Sequence, residues 1–325
     1  MYIRSYKSFI SIENLLVAWE HFLRGKRSRK DVMLFQAELS ANLSDLYYSL
    51  ADQTYKHGPY SVFHISDPKP RTIHKAKVRD RIIHRLIYDN LFPYFDIGFV
   101  FDSYSCRKQK GTHRALDRFK LFAGKVSKNN SQTCYVLKCD IKKFFASVNH
   151  AVLLKILKRH IADEDVIDLI EKVISSFYSN RSGIGLPLGN LTSQILANVY
   201  LHEFDMFIKQ GIRAKCYIRY TDDFVILSDN KEYLNSLLPT ISEFLEKELK
   251  LMLHEHKVYI KTYASGLDFL GWVHFPHHRN IRTAAKRKII RKLKGYPMPQ
   301  TVTSYRGLLS HGDTHKLQKR VGLAD

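Results

Sequence analysis

Four cysteines in 325 residues, none in a Cys-x-x-Cys pair, give no zinc knuckle, and Cys106, Cys134, Cys139 and Cys216 are expected as reduced core thiols. His254 with His256, and His274 with His277 and His278, lack cysteine partners at ligand spacing and make no zinc set. Long apolar runs are missing too. No stretch approaches the roughly 18 residues of a membrane span, and Met1 to Lys7 open no signal-peptide core, so a cytoplasmic protein without a membrane partner is expected. Acidic residues are few: 31 Asp and Glu stand against 52 Lys and Arg, a net charge of +21 and a pI of about 9.7. That excess suits nucleic acid, although charge alone would also suit an acidic membrane surface. There is no basic low-complexity tail. The 45% hydrophobic and 12% aromatic content suffices for a folded binder with a core, as one large unit or two to three small lobes.

Against that background one stretch stands out, Tyr220-Thr221-Asp222-Asp223, set between the strand-like runs Cys216–Tyr220 and Phe224–Leu227. Apolar residues on both sides of so short a polar pair predict a β-hairpin with the aspartates at or near its turn. An Asp-Asp pair in a hairpin is ordinarily a solvated turn. Two adjacent carboxylates on a rigid turn repel, however, unless a cation sits beside them, and a divalent metal such as magnesium takes hard oxygen ligands of this kind. A third carboxylate, Asp140, ends the apolar run Tyr135-Val136-Leu137-Lys138-Cys139, 82 residues before Asp222. Alone it would read as a helix N-cap. Three aspartates on neighbouring strands could hold two metals roughly 3.5–4 Å apart for in-line phosphoryl transfer. Between the stations, Gly183-Ile184-Gly185-Leu186-Pro187-Leu188-Gly189-Asn190 predicts a loop that runs into a helix, with Thr192 or Ser193 as its cap.

Taken in order, Pro70-Arg71, Ser103-Tyr104-Ser105-Cys106-Arg107, the Asp140 strand, the Gly-Leu-Pro-Leu-Gly loop, the Tyr-Thr-Asp-Asp hairpin and Gly266-Leu267-Asp268-Phe269-Leu270-Gly271-Trp272 resemble the reverse transcriptases of the group II intron lineage. The likeness covers roughly residues 55–275 and weakens beyond. Group II intron enzymes usually carry Gln-Gly, three residues, then Ser-Pro in the loop before the helix. Here Leu188 replaces the Gln and Gln194 the Pro, a form similar to the reverse transcriptases of diversity-generating retroelements, which copy a template-repeat RNA with errors at adenines.

The resemblance implies an α+β, right-hand polymerase fold: fingers, a palm of antiparallel sheet with packed helices, and a small helical thumb. The expected divisions are an N-terminal helical extension over 1–55, interleaved fingers and palm over 56–275, and the thumb over 276–325. It implies an RNA-directed DNA polymerase of a bacterium, archaeon or phage, with two Mg2+ ions, replaceable by Mn2+, on Asp140, Asp222, Asp223 and the Ile141 carbonyl. Arg71, Lys75 and Arg81 are expected to hold the triphosphate of a dNTP, arginine's fork suiting phosphate oxygens. Phe145 is expected to crowd the sugar, with Phe144 turned into the core, and Leu188, Gly189 and Gln194 to flank the nucleotide. Arg107 is placed near the template, Phe269-Leu270-Gly271 under the primer, and Arg287 and Arg291, one turn apart, along the RNA/cDNA hybrid. A small, basic, oligomeric accessory protein is the implied partner. No room is expected for an RNase H, endonuclease or integrase domain. The rival readings are an antiphage-defence or CRISPR-associated reverse transcriptase, and a non-catalytic RNA-binding scaffold.

Overall fold

A computed structural model describes residues 5–66, 70–295 and 297–323, so the first four residues of the expected extension and the last two of the expected thumb lie outside it. The chain divides into two compact units. The first comprises Met1–Phe101, Ile141–Phe207 and Ser242–Met252, and the second Asp102–Asp140, Ile208–Ile241 and Leu253–Asp325.

The first unit begins with α1 (Tyr6–Phe9), α2 (Ile12–Leu23), α3 (Lys30–Ala37) and α4 (Leu39–Ala51). Ser11 caps α2 by accepting from the Asn14 amide, and Leu15, Ala18, Trp19, Phe22 and Leu23 form its buried stripe at helical spacing. Leu16, off that stripe, faces solvent. The hairpin of β1 (Ser61–Ile65) and β2 (Arg71–Lys75) follows, then α5 (Val78–Gly98). The internal Pro93 does not end α5. The helix runs on because Leu91, Phe92 and Phe95 continue the buried stripe, and their burial outweighs the ~3 kcal/mol that an internal proline costs.

In the second unit, α6 (Thr112–Val126) is a helix that the sequence reading left unassigned, and β3 (Tyr135–Asp140) follows it. The chain returns to the first unit through α7 (Phe144–Ser147), α8 (His150–Lys158), α9 (Glu164–Ile174) and α10 (Leu191–Met206). Neither Thr192 nor Ser193 caps α10. The N-cap position is Asn190, Thr192 lies 2.6 Å from His84 Nδ1, and Ser193 donates to the Pro187 carbonyl.

Next come β4 (Tyr217–Tyr220), β5 (Asp223–Ser228), α11 (Lys231–Lys247) and β6 (Tyr259–Thr262). Strands β4-β5-β3-β6 form one antiparallel sheet, and Val136, Leu137, Phe224, Val225 and Ile226 bury its middle. β7 (Leu267–Phe269), β8 (Trp272–His274) and β9 (Arg279–Ile281) make a smaller sheet. Rings of Phe119, Tyr263, Phe269 and Trp272 belong to the core that this unit builds with the main sheet. A two-residue turn joins β7 to β8 with both Leu270 and Gly271 at positive φ. The run from Arg279 to Lys294 splits into β9 and α12 (Thr283–Leu293). Its first residues alternate without an apolar stripe and pair with β8 instead. Finally α13 (Pro299–Leu309) and α14 (His315–Arg320) pack with α12 around Ile289, Leu293, Leu309 and Leu317.

Candidate active site

The Tyr-Thr-Asp-Asp segment forms the predicted hairpin. Tyr220 pairs with Asp223, leaving Thr221-Asp222 as a two-residue turn. On the other side of β5, Asp223 is the direct cross-strand partner of Asp140 at the end of β3. Directly opposed residues carry Cβ atoms about 5 Å apart on one face. The sheet therefore brings three carboxylates to one end of two adjacent strands.

The turn that carries Asp222 is under strain. Thr221 has φ +57, a conformation that costs a β-branched residue about 1–3 kcal/mol and is ordinarily left to glycine in hairpins. Two clamps hold it. Arg219, a fully buried side chain, donates from Nη1 to the Thr221 carbonyl at 3.2 Å and from Nη2 to Ser103 Oγ at 3.0 Å. Thr221 Oγ1 donates to Ser105 Oγ at 2.7 Å. The Asp102–Ser105 segment runs alongside β4, since Arg219 N donates to the Asp102 carbonyl and Tyr104 N to the Arg219 carbonyl. Asp102 in turn is fixed by Arg118 Nε at 2.8 Å. The Ser-Tyr-Ser-Cys-Arg motif thus acts here as a brace for the hairpin, and Arg107 closes it by donating to the Ser103 carbonyl.

Two lysines that the sequence reading passed over balance the carboxylates. Lys138 Nζ lies 2.7 Å from Asp223 Oδ1, and Lys257 Nζ lies 2.8 Å from Asp140 Oδ1. Lys138 was detectable: a lysine within the buried run Val136–Cys139, two residues before Asp140 and so on the same face, needs a counter-charge. Among the described residues Asp222 has no lysine or arginine within ion-pair distance. Burial, then the charge of Asp140, pushes its carboxyl up to about 6. Burial also raises Asp223, against the opposing pull of Lys138. Among the described residues no three potential metal ligands close on one another, as expected of like charges without a cation between them. The hard oxygen donors of Asp140, Asp222 and Asp223, brought to one end of the sheet, are of the type that a divalent metal takes.

Residues 63–274 match the reverse transcriptase (RNA-dependent DNA polymerase) family. The chain belongs to the reverse transcriptases. It is 26% identical over 303 residues to Protein YkfC of Escherichia coli, covering 81% of this chain and 77% of YkfC. It is 22% identical to the group II intron-encoded protein LtrA of Lactococcus lactis, over 84% of this chain and 56% of LtrA. In structure it resembles telomerase from Candida albicans, solved with a fragment of telomeric RNA, at a TM-score of 0.53 and 11% identity. That match covers 89% of this chain and 58% of the telomerase chain. Telomerase from Candida tropicalis gives 0.51 at 13% identity, over 72% and 59%. These likenesses establish the right-hand polymerase fold. Reverse transcriptases work with divalent metal ions.

Other residues expected to serve the reverse transcriptase reaction lie in the first unit. Arg71 is exposed at the start of β2. Lys75 Nζ and Arg81 Nη2 converge on a single oxygen, Asp31 Oδ2 of α3, at 2.7 and 2.5 Å. Leu188 is half-buried, and its carbonyl accepts from the His74 amide, while Asn190 Nδ2 donates to the His74 carbonyl. Gly189, at φ +107, lies so close to Ile73 that an added Cβ would come within 2.7 Å of its Cγ2. Gln194 is exposed on the first turn of α10. Phe144 is buried and Phe145 half-buried on α7, and Ile141 is fully buried. In the second unit, Arg287 and Arg291 are exposed on α12. The Phe269 ring is wholly buried against Phe119, and Leu270 and Gly271 form the turn beside it.

The raised Asp222 carboxyl has a measurable consequence. Below about pH 6 a divalent ion must expel its proton, so Mn2+ affinity should fall as much as about tenfold per unit on the acid side. Calorimetry in buffers of different ionisation enthalpy should detect the released proton, and Asp222→Asn should abolish it. In the metal-free protein the sign is opposite for stability. The raised pKa stabilises the fold below the usual aspartate range, and that contribution is lost as pH rises through about 6. Constant Mn2+ affinity across this window would refute the assignment.

The brace around Thr221 gives a second test. Arg219→Lys keeps the charge but loses the fork, and should lower stability by about 2–4 kcal/mol and turnover by about tenfold or more. Thr221→Gly relieves the positive φ while losing one hydrogen bond, and should stay within about 1 kcal/mol of the parent in urea denaturation.

Proposed function

We propose that this chain is the reverse transcriptase of a diversity-generating retroelement, copying a template-repeat RNA into adenine-mutagenised cDNA for retrohoming into a variable gene. The observation that carries the polymerase chemistry is the cross-strand pair Asp140 and Asp223 with Asp222 at the adjoining turn. Asp140 and Asp222 are the main ligands of two Mg2+ ions, for which Mn2+ can substitute, with Asp223 and the Ile141 carbonyl as further oxygens. Bound there, the ions would acidify the primer 3′-hydroxyl and neutralise charge on the α-phosphate and departing pyrophosphate. The protein's own share is positioning. Arg219 and Ser105 fix the turn, and Lys138 and Lys257 hold Asp223 and Asp140 in place.

Arg71, Lys75 and Arg81 bind the triphosphate of the incoming dNTP in this reading. That Lys75 and Arg81 already share one carboxylate oxygen of Asp31 supports it, since the same convergence suits a phosphate oxygen. Phe145 crowds the sugar 2′ carbon, Arg107 lies near the template, the Leu270-Gly271 turn supports the primer, and Arg287 and Arg291 follow the RNA/cDNA hybrid. A small, basic, oligomeric accessory protein completes the machinery.

The diversifying role rests on Leu188 and Gln194 in the loop before α10. Leu188 puts an apolar side chain where related enzymes offer a glutamine able to hydrogen-bond near the nucleotide. A site without that polar demand discriminates less well.

Primer extension with Mg2+ and dNTPs on an RNA template tests the enzyme. The parent should extend, Asp222→Asn should lose about 100-fold or more, and an inactive parent would leave only an RNA-binding scaffold. The sequence of the cDNA tests the role: Leu188→Gln should lower misincorporation opposite adenine several-fold, and an unchanged error spectrum would count against diversification.

A further inference from the structure

The end of the main sheet away from Asp223 carries a second concentration of charge. β5 is six residues long, so Ser228 lies about 17 Å along the strand from Asp223. Beyond it opens a cavity of about 400 Å³ lined by Lys125, Lys128, Arg213, Lys215, Asp229 and Tyr233. Lys125, Lys128, Arg213 and Lys215 are exposed, and among the described residues none has a carboxylate within ion-pair distance. The helix dipole favours a lysine in the last turn of α6, as at Lys125. Lys128 follows that helix end, and Arg213 and Lys215 follow the helical turn Phe207–Gly211.

The loops themselves are unusual. Lys128, Asn129 and Asn130 are consecutive left-handed residues, with φ of +46, +56 and +71, and Arg213 is left-handed at +59. The first run is held by Asn129 N to the Gly124 carbonyl and Asn130 N to Ser127 Oγ, at 2.8 and 2.9 Å. Strained backbone thus presents Lys128 and Arg213 to the cavity beside Lys125 and Lys215, with Tyr233 exposed as an aromatic wall.

We propose that this face is a second RNA site, which grips single-stranded or looped RNA outside the stretch being copied. Unpaired lysine and arginine gain by releasing counterions from a phosphate backbone. A tyrosine offers its ring to an unstacked base. The separation from the catalytic carboxylates means that RNA held here is not the paired template end. The inference is independent of the diversifying role.

The full chain with Lys125, Lys128, Arg213 and Lys215 all changed to Gln is compared with the parent for binding to poly(U) over a range of salt. Affinity should fall by about tenfold or more, and the slope of log affinity against log salt should flatten by about 2–3. Extension of an oligo(dT) primer on a short poly(rA) template should be unchanged, and circular dichroism should show the parent fold. Unaltered poly(U) affinity and slope would overturn the proposal. So would loss of primer extension in step with binding, which would put the face on the primer–template track, or loss of binding to poly-glutamate alone, which would point to an acidic protein. If the fourfold variant fails to fold, Lys215→Glu carries the test by itself: it must weaken poly(U) binding, and no change would refute the site.

Discussion

Mutual repulsion among Asp140, Asp222 and Asp223 is the constraint on which the rest of the second unit depends. A sheet that ends in three carboxylates on one side is stable only if each charge is answered, and the fold answers two of them with lysine. Lys138 and Lys257 each occupy one carboxylate oxygen, and Asp222, left without a cation, takes up protons more readily instead. Lys138 is nearly buried and also lies over the Phe269 ring, which places a cation deep in the sheet rather than at a mobile surface. Lys257 is far more exposed and is by that reasoning the weaker of the two anchors. The backbone shares the load, since the strained Thr221 persists only because Arg219 and Ser105 over-determine its position.

How much of this was legible in the sequence follows from the range of each interaction. The hairpin from Tyr217 to Ser228 and the strand ending at Asp140 announced themselves through alternation and a polar turn, which are local signals. The family match over residues 63–274 agrees with the ordered motifs. Lys138 to Asp223, Arg219 to Ser103 and Lys257 to Asp140 span 85, 116 and 117 residues, and no local pattern encodes such pairs. Helix α6 escaped notice because its buried residues, Ala115, Leu116, Phe119, Phe122 and Ala123, are spaced among basic ones that read as polar loop. That the Phe269 ring packs inward was not legible either, since a motif does not tell which way a ring points.

The first unit carries its own version of the same economy of charge. Lys75 and Arg81 come from different elements, β2 and α5, yet meet on one oxygen of Asp31. An arginine and a lysine sharing one carboxylate leave a net positive charge, and Arg81 also stacks over the Phe22 ring, so the pair is oriented rather than neutralised. The loop with Leu188 is held to the neighbouring strand by main-chain and side-chain bonds to His74, and Gly189 allows the close approach to Ile73. A side chain at 188 is therefore presented from a fixed backbone, and changing its chemistry changes what it offers without moving the loop.

A net charge of +21 works against compactness, because like charges repel over the Debye length of about 10 Å at moderate salt. The second unit lowers that cost where cations are used internally: Arg118 on Asp102, Lys138 on Asp223 and Lys257 on Asp140 are each tied to an acid. Lysines and arginines around the far end of β5 have no such acid, nor do Arg287 and Arg291 on α12 have an ion pair among the described residues. Cations kept unpaired in a fold that pairs them elsewhere leave their neutralisation to something outside the chain. For a reverse transcriptase the polyanion at hand is RNA, and the fold's own stability should then rise when RNA is bound.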